Sequence, residues 1–141
     1  MAARFPLIVD GSGTPAIKEI VSGDVLDLTG LQVKLGTEAT LTDGSTVAWD
    51  VSASPIAKLT LGGNRTLSAP TNAVGSGQYI SLLFIQDGTG SRTLTWNAAY
   101  EFTADEAPTL TTTASKGDLF TFRYNGSKWL EVGRNLNLTL S

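Results

Sequence analysis

The sequence predicts an all-β protein, an antiparallel β-sandwich or jelly-roll-like domain preceded by an extended N-terminal arm. Three observations carry that prediction. Hydrophobic residues alternate with a period of two from about residue 37 onward, as they do in half-buried strands. Turn signals recur at intervals of roughly 8–12 residues, the spacing of short strands in a sandwich. Of 141 residues, 15 are glycine and only 16% are charged, which is below the usual quarter or so and suits a hydroxyl-rich surface.

The first 36 residues read as an arm and 37–141 as the folded domain. In the arm, short apolar clusters (Phe5 to Val9, Ala16 to Val21, Val25 to Leu28, Leu31 to Leu35) are separated by Gly11, Gly13, Gly23, Gly30 and Gly36. Glycine at that density disfavours a long helix and favours extended pieces joined by turns. Thr14-Pro15 can cap one helical turn through Ile20, and two short strands are the alternative preferred here. Ser22-Gly23-Asp24 reads as a turn.

In the domain, Val47, Trp49 and Val51 fall on one face of a strand. Leu59-Thr60-Leu61 runs into the turn Gly62-Gly63-Asn64, and Arg65-Thr66-Leu67-Ser68 starts the next strand. Residues 79–85, nearly continuous in apolar character, predict a strand buried on both faces at the centre of the core. Asp87-Gly88-Thr89-Gly90 reads as a hairpin loop, since Asp-Gly supplies positive φ, and leads into Arg92-Thr93-Leu94-Thr95-Trp96. Farther on, Leu119, Thr121 and Arg123 oppose Phe120, Phe122 and Tyr124, and Asn125-Gly126 is the strongest hairpin signal in the chain. It connects to 128–132, with Trp129 on one face and Leu130 and Val132 on the other. A last strand, Asn135 to Ser141, alternates Leu136, Leu138 and Leu140 with Asn and Thr. Gly63-Asn64-Arg65-Thr66-Leu67 echoes Gly90-Ser91-Arg92-Thr93-Leu94; two copies predict equivalent turn-to-strand transitions in two layers rather than a repeat architecture.

Composition also narrows function. The chain has no cysteine and no histidine, which removes thiol chemistry, the commonest general base and the commonest zinc ligand. No catalytic residue and no cofactor are expected. The carboxylate pairs Asp105-Glu106 and Asp24/Asp27 read as solvated turn residues. Asp43-Gly44-Ser45 and Asp87-Gly88-Thr89 offer oxygen atoms to calcium but lack the dense acidic spacing of a calcium loop, so no metal is expected. With a net charge of −3 and ten scattered basic residues, nucleic acid is not an expected partner. No stretch approaches the roughly 20 apolar residues of a membrane span, and Met1 to Pro6 carries no hydrophobic signal core; synthesis in a cytoplasm without membrane insertion is expected. Among the aromatic residues, Trp49 and Trp129 sit in clean alternation and read as core. Trp96 and Tyr100 bracket a strand end and a loop, which makes them the candidate glycan contacts.

Several segments in order carry a resemblance: Leu61-Gly62-Gly63-Asn64-Arg65-Thr66-Leu67 with Pro70, Gly77-Gln78-Tyr79, residues 86–96 from Gln86 to Trp96, and Tyr124-Asn125-Gly126-Ser127-Lys128-Trp129. This set resembles a β-domain of tailed-bacteriophage structural proteins, found in head-decoration (cement) proteins and in tail-fibre or spike proteins. The opening, with Arg4-Phe5-Pro6-Leu7-Ile8-Val9, Ile17-Lys18-Glu19-Ile20 and residues 22–28, is similar to the N-terminal region of phage virion proteins, cyanophages among them. The resemblance implies a non-enzymatic particle component, usually a homotrimer.

Between those roles the residues favour decoration. The chain contains no triple-helical or coiled-coil shaft, and a 36-residue arm extends on the order of 100 Å against a domain radius near 13 Å. Such an arm reaches across subunit boundaries and adds strands to a neighbour. The expected role is a cement protein on the outer surface of the virion that binds major capsid protein or other virion proteins and stabilises the shell. The expected attachment residues are Phe5, Pro6, Leu7, Ile8 and Val9 in the arm, with Val25, Leu26 and Leu28 as pairing strands; the alternative is that they complete the domain's own sheet. A tail-fibre or tail-spike component, or a glycan-binding domain using Trp96 and Tyr100, is the alternative function.

Overall fold

A computed structural model describes residues 36–140 in full, and the backbone of 7–9 and 15–17. The chain divides into two units, Met1–Val33 and Lys34–Ser141. In the first unit, β1 (Leu7–Val9) and β2 (Pro15–Ile17) pair antiparallel, with Ile8 opposite Ala16. At residues 15–17 the backbone is therefore a strand and not the first turn of a helix.

The second unit is all-β, with one short 3₁₀ turn at Thr103–Asp105 and no α-helix among the described residues. Its strands are β3 (Ala39–Thr40), β4 (Thr46–Val47), β5 (Ile56–Leu61), β6 (Arg65–Leu67), β7 (Tyr79–Gln86), β8 (Leu94–Trp96), β9 (Tyr100–Glu101), β10 (Lys116–Tyr124) and β11 (Trp129–Thr139). They form a six-stranded sheet ordered β3-β5-β7-β10-β11-β9 and a three-stranded sheet ordered β4-β6-β8.

The pairing corrects the expectation of an antiparallel sandwich. β3, β5 and β7 pair in parallel, and so do β4, β6 and β8. The chain steps from the larger sheet to the smaller and back three times, laying each step on the one before, so the first half of the unit is a short solenoid-like stack. An antiparallel hairpin, β10 with β11, then extends the larger sheet from β7. The physical reason lies in the turns. Gly62-Gly63-Asn64 and the loop after Gln86 do not reverse the chain within one sheet; they carry it across the core to the other sheet. Asp87 Oδ1 accepts the Thr89 and Gly90 N–H groups, and Gly90 and Ser91 both have positive φ. This bends the chain out of the plane of β7, where a two-residue hairpin would have returned it alongside.

The core lies between the sheets. Val47 and Leu67 from the small sheet meet Leu59, Leu61, Leu82 and Phe84 from the large one, all of them buried. Val47, Trp49 and Val51 share the buried face as their alternation predicts, and the Trp49 indole N–H donates to the Ser54 carbonyl at 3.0 Å. β7 occupies the middle of its sheet, but only one face is fully buried: Ile80, Leu82 and Phe84 point inward, while Ser81, Leu83 and Ile85 are half-buried and Tyr79 is exposed. In β10, Phe120 and Phe122 are inward and Arg123 outward, and the Asn125-Gly126 turn closes on β11 through Asn125 N–H to the Lys128 carbonyl at 3.0 Å. The two segments expected after that turn are one continuous strand, β11, with register shifts against β10 that let it bend.

Two arginine–aspartate pairs fasten the crossings. Arg65 binds Asp43 through two bonds, Nε to Oδ1 at 2.7 Å and Nη2 to Oδ2 at 2.6 Å. Gly63 makes room for it, because a Cβ there would stand 2.5 Å from Arg65 Nη1. Arg92 binds Asp87 Oδ2 through Nε at 3.0 Å and Nη2 at 2.7 Å. The sequence echo marks two successive rungs of one sheet, not two layers as expected from sequence, with an arginine pin after each of the two turns. In space it is offset by two residues, since Arg65 lies opposite Leu94 rather than Arg92.

Candidate functional site

β8 ends the three-stranded sheet, and residues 107–112 run past its outer side. Between them lies a groove of about 440 Å³ lined by residues 92–96 and 107–110 together with Thr112, a volume in the ordinary range for ligand sites. Thr93, Thr95, Thr109 and Thr112 put hydroxyls around it, and Leu94, Pro108 and Leu110 put apolar surface between them. Its one charged lining residue, Arg92, is neutralised by Asp87.

The wall opposite β8 is held in place by a buried carboxylate. Asp118, on β10 and 2% exposed, accepts the Thr111 N–H at 2.6 Å, the Thr111 hydroxyl at 2.7 Å and the Asn137 N–H at 2.9 Å. Ser91 N–H donates to the Thr112 carbonyl at 2.7 Å, which ties the loop after β7 to the same segment. Upstream, Ala104 and Asp105 both take positive φ, an unfavourable backbone for non-glycine residues.

The aromatic residues do not form a platform. The Trp96 ring packs against Phe84, Tyr100, Phe102, Phe120 and Phe122, with centroids between 5.0 and 5.9 Å, and its indole N–H donates to the Pro108 carbonyl at 3.2 Å. Tyr100 is 4% exposed, and its hydroxyl donates to the Ser68 carbonyl at 3.3 Å. Burial pushes the Tyr100 phenol pKa upward. Tyr100, a candidate glycan contact from sequence, thus lies in the core, the other reading open to an aromatic residue in such a fold. Its neighbours on β10 and around residue 102 are phenylalanines, so the loop folds its ring inward instead of offering it to solvent. Trp96 is half-buried and reaches the groove along its edge. The groove itself carried no sequence signal, because its hydroxyls are ordinary threonines from two segments that meet only in the fold.

The aspartates that could serve a cation are already occupied. Asp43 faces Arg65 and Asp87 faces Arg92, and the arginine bonds hold both carboxyls below the usual range, Asp87 at about 2. Asp50 accepts from the Ser52 hydroxyl and N–H and from the Asn72 amide. Among the described residues no cluster of acidic side chains is placed to hold a metal. Asp105 and Glu106 are exposed on the loop between β9 and β10.

Of the expected attachment residues, Leu7, Ile8 and Val9 form β1 and pair with β2 of the same chain. Phe5, Pro6, Val25, Leu26 and Leu28 lie outside the described residues. A second exposed apolar set, not assigned to attachment from sequence, lies on β11 and just past its end, where Val132 is 58% exposed and Leu136 and Leu140 are each 42% exposed.

Residues 37–129 match the model of a family described as "Putative phage tail fibre C-terminal domain". No curated protein and no solved structure matches the chain. The matched span runs from the first strand of the stack to the start of β11.

Proposed function

The chain belongs to the phage tail fibre C-terminal domain family and is a virion structural protein, and from that premise we propose that it is a component of the tail fibre, non-enzymatic and assembled as a homotrimer with other virion proteins. The observation that carries this reading is the family match over 37–129, which takes in both sheets of the second unit up to β11. Two structural features support it. The carboxylates of Asp43, Asp87 and Asp118 are bound to arginines, a hydroxyl and backbone amides, which suits a structural role for these three residues. β11 is long, and β9 covers it only at Trp129 and Leu130. Beyond them no strand among the described residues pairs with that edge, and Val132, Leu136 and, just past the strand, Leu140 are exposed, the kind of surface that copies of a chain use to associate.

Decoration of the head has less behind it. It rested on the arm lending strands to a neighbour, and Leu7 to Val9 already pair within their own chain. Immunogold labelling of intact particles with antibody raised against residues 34–141 separates the two roles. Gold on the tail fibres is expected. Gold distributed over the head shell would overturn the fibre reading and restore the cement one.

A further inference from the structure

We propose that the groove beside β8 is an acceptor site for an extended, uncharged peptide strand from another protein, which would add a fourth strand to the β4-β6-β8 sheet. Arg65 N–H donates to the Thr93 carbonyl at 2.9 Å, and Arg65 is registered opposite Leu94. Backbone groups alternate sides along a strand, so Thr93 and Thr95 face β6, and Leu94 and Trp96 turn their N–H and C=O groups to the outer edge. No strand pairs with that edge among the described residues. An unpaired edge of this kind is a template for another strand.

The surroundings select the occupant. The edge borders the groove, whose far wall is residues 107–110, held at its end by the buried Asp118. The groove therefore has fixed sides rather than being a bare sheet edge. Two donor–acceptor sets, on Leu94 and Trp96, repeat at the two-residue interval of an extended chain, which a peptide matches group for group. The lining offers no free charge, since Arg92 is bound to Asp87 at 2.7 Å. A charged side chain entering would lose hydration without a counter-ion, and charge complementarity favours a segment of small apolar and hydroxyl residues. β6 and β4 beneath β8 already pair in parallel, so the added strand continues an existing ladder.

The test uses the full chain and a pool of capped hexapeptides alternating threonine with valine, serine or leucine. Backbone amide resonances of the isotope-labelled wild type are followed during titration. Binding is expected to shift the Leu94 and Trp96 amides and to slow their hydrogen exchange at least tenfold. Leu94→Pro removes one outward N–H without breaking a bond to β6, a substitution that edge strands accept. Leu94→Ala removes the same side chain and keeps the N–H. Affinity in Leu94→Pro is expected to fall at least tenfold below that of Leu94→Ala. Three results would overturn the proposal: no shift at millimolar peptide, equal binding by the two variants, or protection by a neutral glucan oligosaccharide that Thr95→Val abolishes while the peptides do nothing. The wild-type amide shifts decide the matter even where Leu94→Pro fails to fold.

Discussion

Asp118→Ala is expected to loosen the wall of the groove and to lower the stability of the second unit by about 2–4 kcal/mol. The size of the effect follows from three bonds. Asp118 is 2% exposed and accepts from Thr111 N–H at 2.6 Å, Thr111 Oγ1 at 2.7 Å and Asn137 N–H at 2.9 Å. A hydrogen bond to a charged group contributes roughly 1.5–3 kcal/mol, and a buried donor left without an acceptor costs about 1–3 kcal/mol. Two effects reduce the sum. Asn137 N–H retains the Thr111 hydroxyl oxygen at 3.1 Å, and the variant no longer desolvates a carboxylate. All three tryptophans lie in Lys34–Ser141, so fluorescence during urea unfolding reports on this unit. At a slope of about 2 kcal/mol per molar, the midpoint should fall by about 1–2 M with the slope unchanged. Asp118→Asn should fall between the two proteins, because an amide accepts on one side only and presents a donor to Thr111 or Asn137 on the other. A loss below about 1 kcal/mol in Asp118→Ala would refute the view that this carboxylate carries the 107–112 segment.

Gly90→Ala should destabilise by more than about 2 kcal/mol in the same assay, because φ is +74° and a Cβ would lie 2.6 Å from the Thr112 carbonyl oxygen and 2.8 Å from Ala114 N. Acid should unfold the second unit in a defined window. Asp87 is held at about 2 by the Arg92 guanidinium and then by Gly90 N–H, and Asp43 is lowered by Arg65. A carboxyl with a depressed folded pKa stabilises fully above its unfolded value, about 3.8 for an ordinary aspartate, and loses that contribution as pH falls toward the folded value. The melting temperature should hold down to about pH 4 and drop between about 4 and 2, and the drop should be smaller in Asp87→Asn; no dependence across that window would refute the pairing. The wild type is expected to run as a trimer in light scattering and the Leu136→Lys, Leu140→Lys double variant as a monomer; a trimer in both would remove this apolar set from the interface, and a monomeric wild type would overturn the trimer.

The strands were legible in the sequence because period-two alternation is a local signal. Val47, Trp49 and Val51, the opposed faces of β10 and the Asn125-Gly126 turn all follow from neighbours a few residues apart. Pairing is not local. A turn such as Gly62-Gly63-Asn64 has the same composition whether it reverses a chain within a sheet or carries it across a core, so the parallel stacking of β5 on β7 was hidden. One trace of it was present. Arg65-Thr66-Leu67 and Arg92-Thr93-Leu94 recur where an arginine fastens the turn of a crossing, paired with Asp43 and Asp87. The preceding rung, at Thr46-Val47, has no arginine triplet, which left two copies visible where three strands stack.

The aromatic residues show why a conspicuous side chain is a poor guide to a site in a fold of this kind. Trp96 sits where β8 leaves the small sheet, a position with better odds of exposure than those of Trp49 and Trp129, yet five rings surround it. A short stack has few residues per rung, so each rung needs bulky side chains to fill the space between the sheets. Phe84, Trp96, Phe120 and Phe122 meet that need where the stack passes into the β10–β11 hairpin. With the rings used this way, what the core does not absorb is the backbone edge of β8, the threonines beside it and the exposed apolar side chains of β11, the surfaces on which both proposals rest. Those features are chemically plain in sequence and become distinctive only through the parallel register that places them. Leu94→Pro should therefore weaken peptide binding with little effect on the rings, whereas substituting Trp96 should unfold the rung before it reveals anything about a ligand.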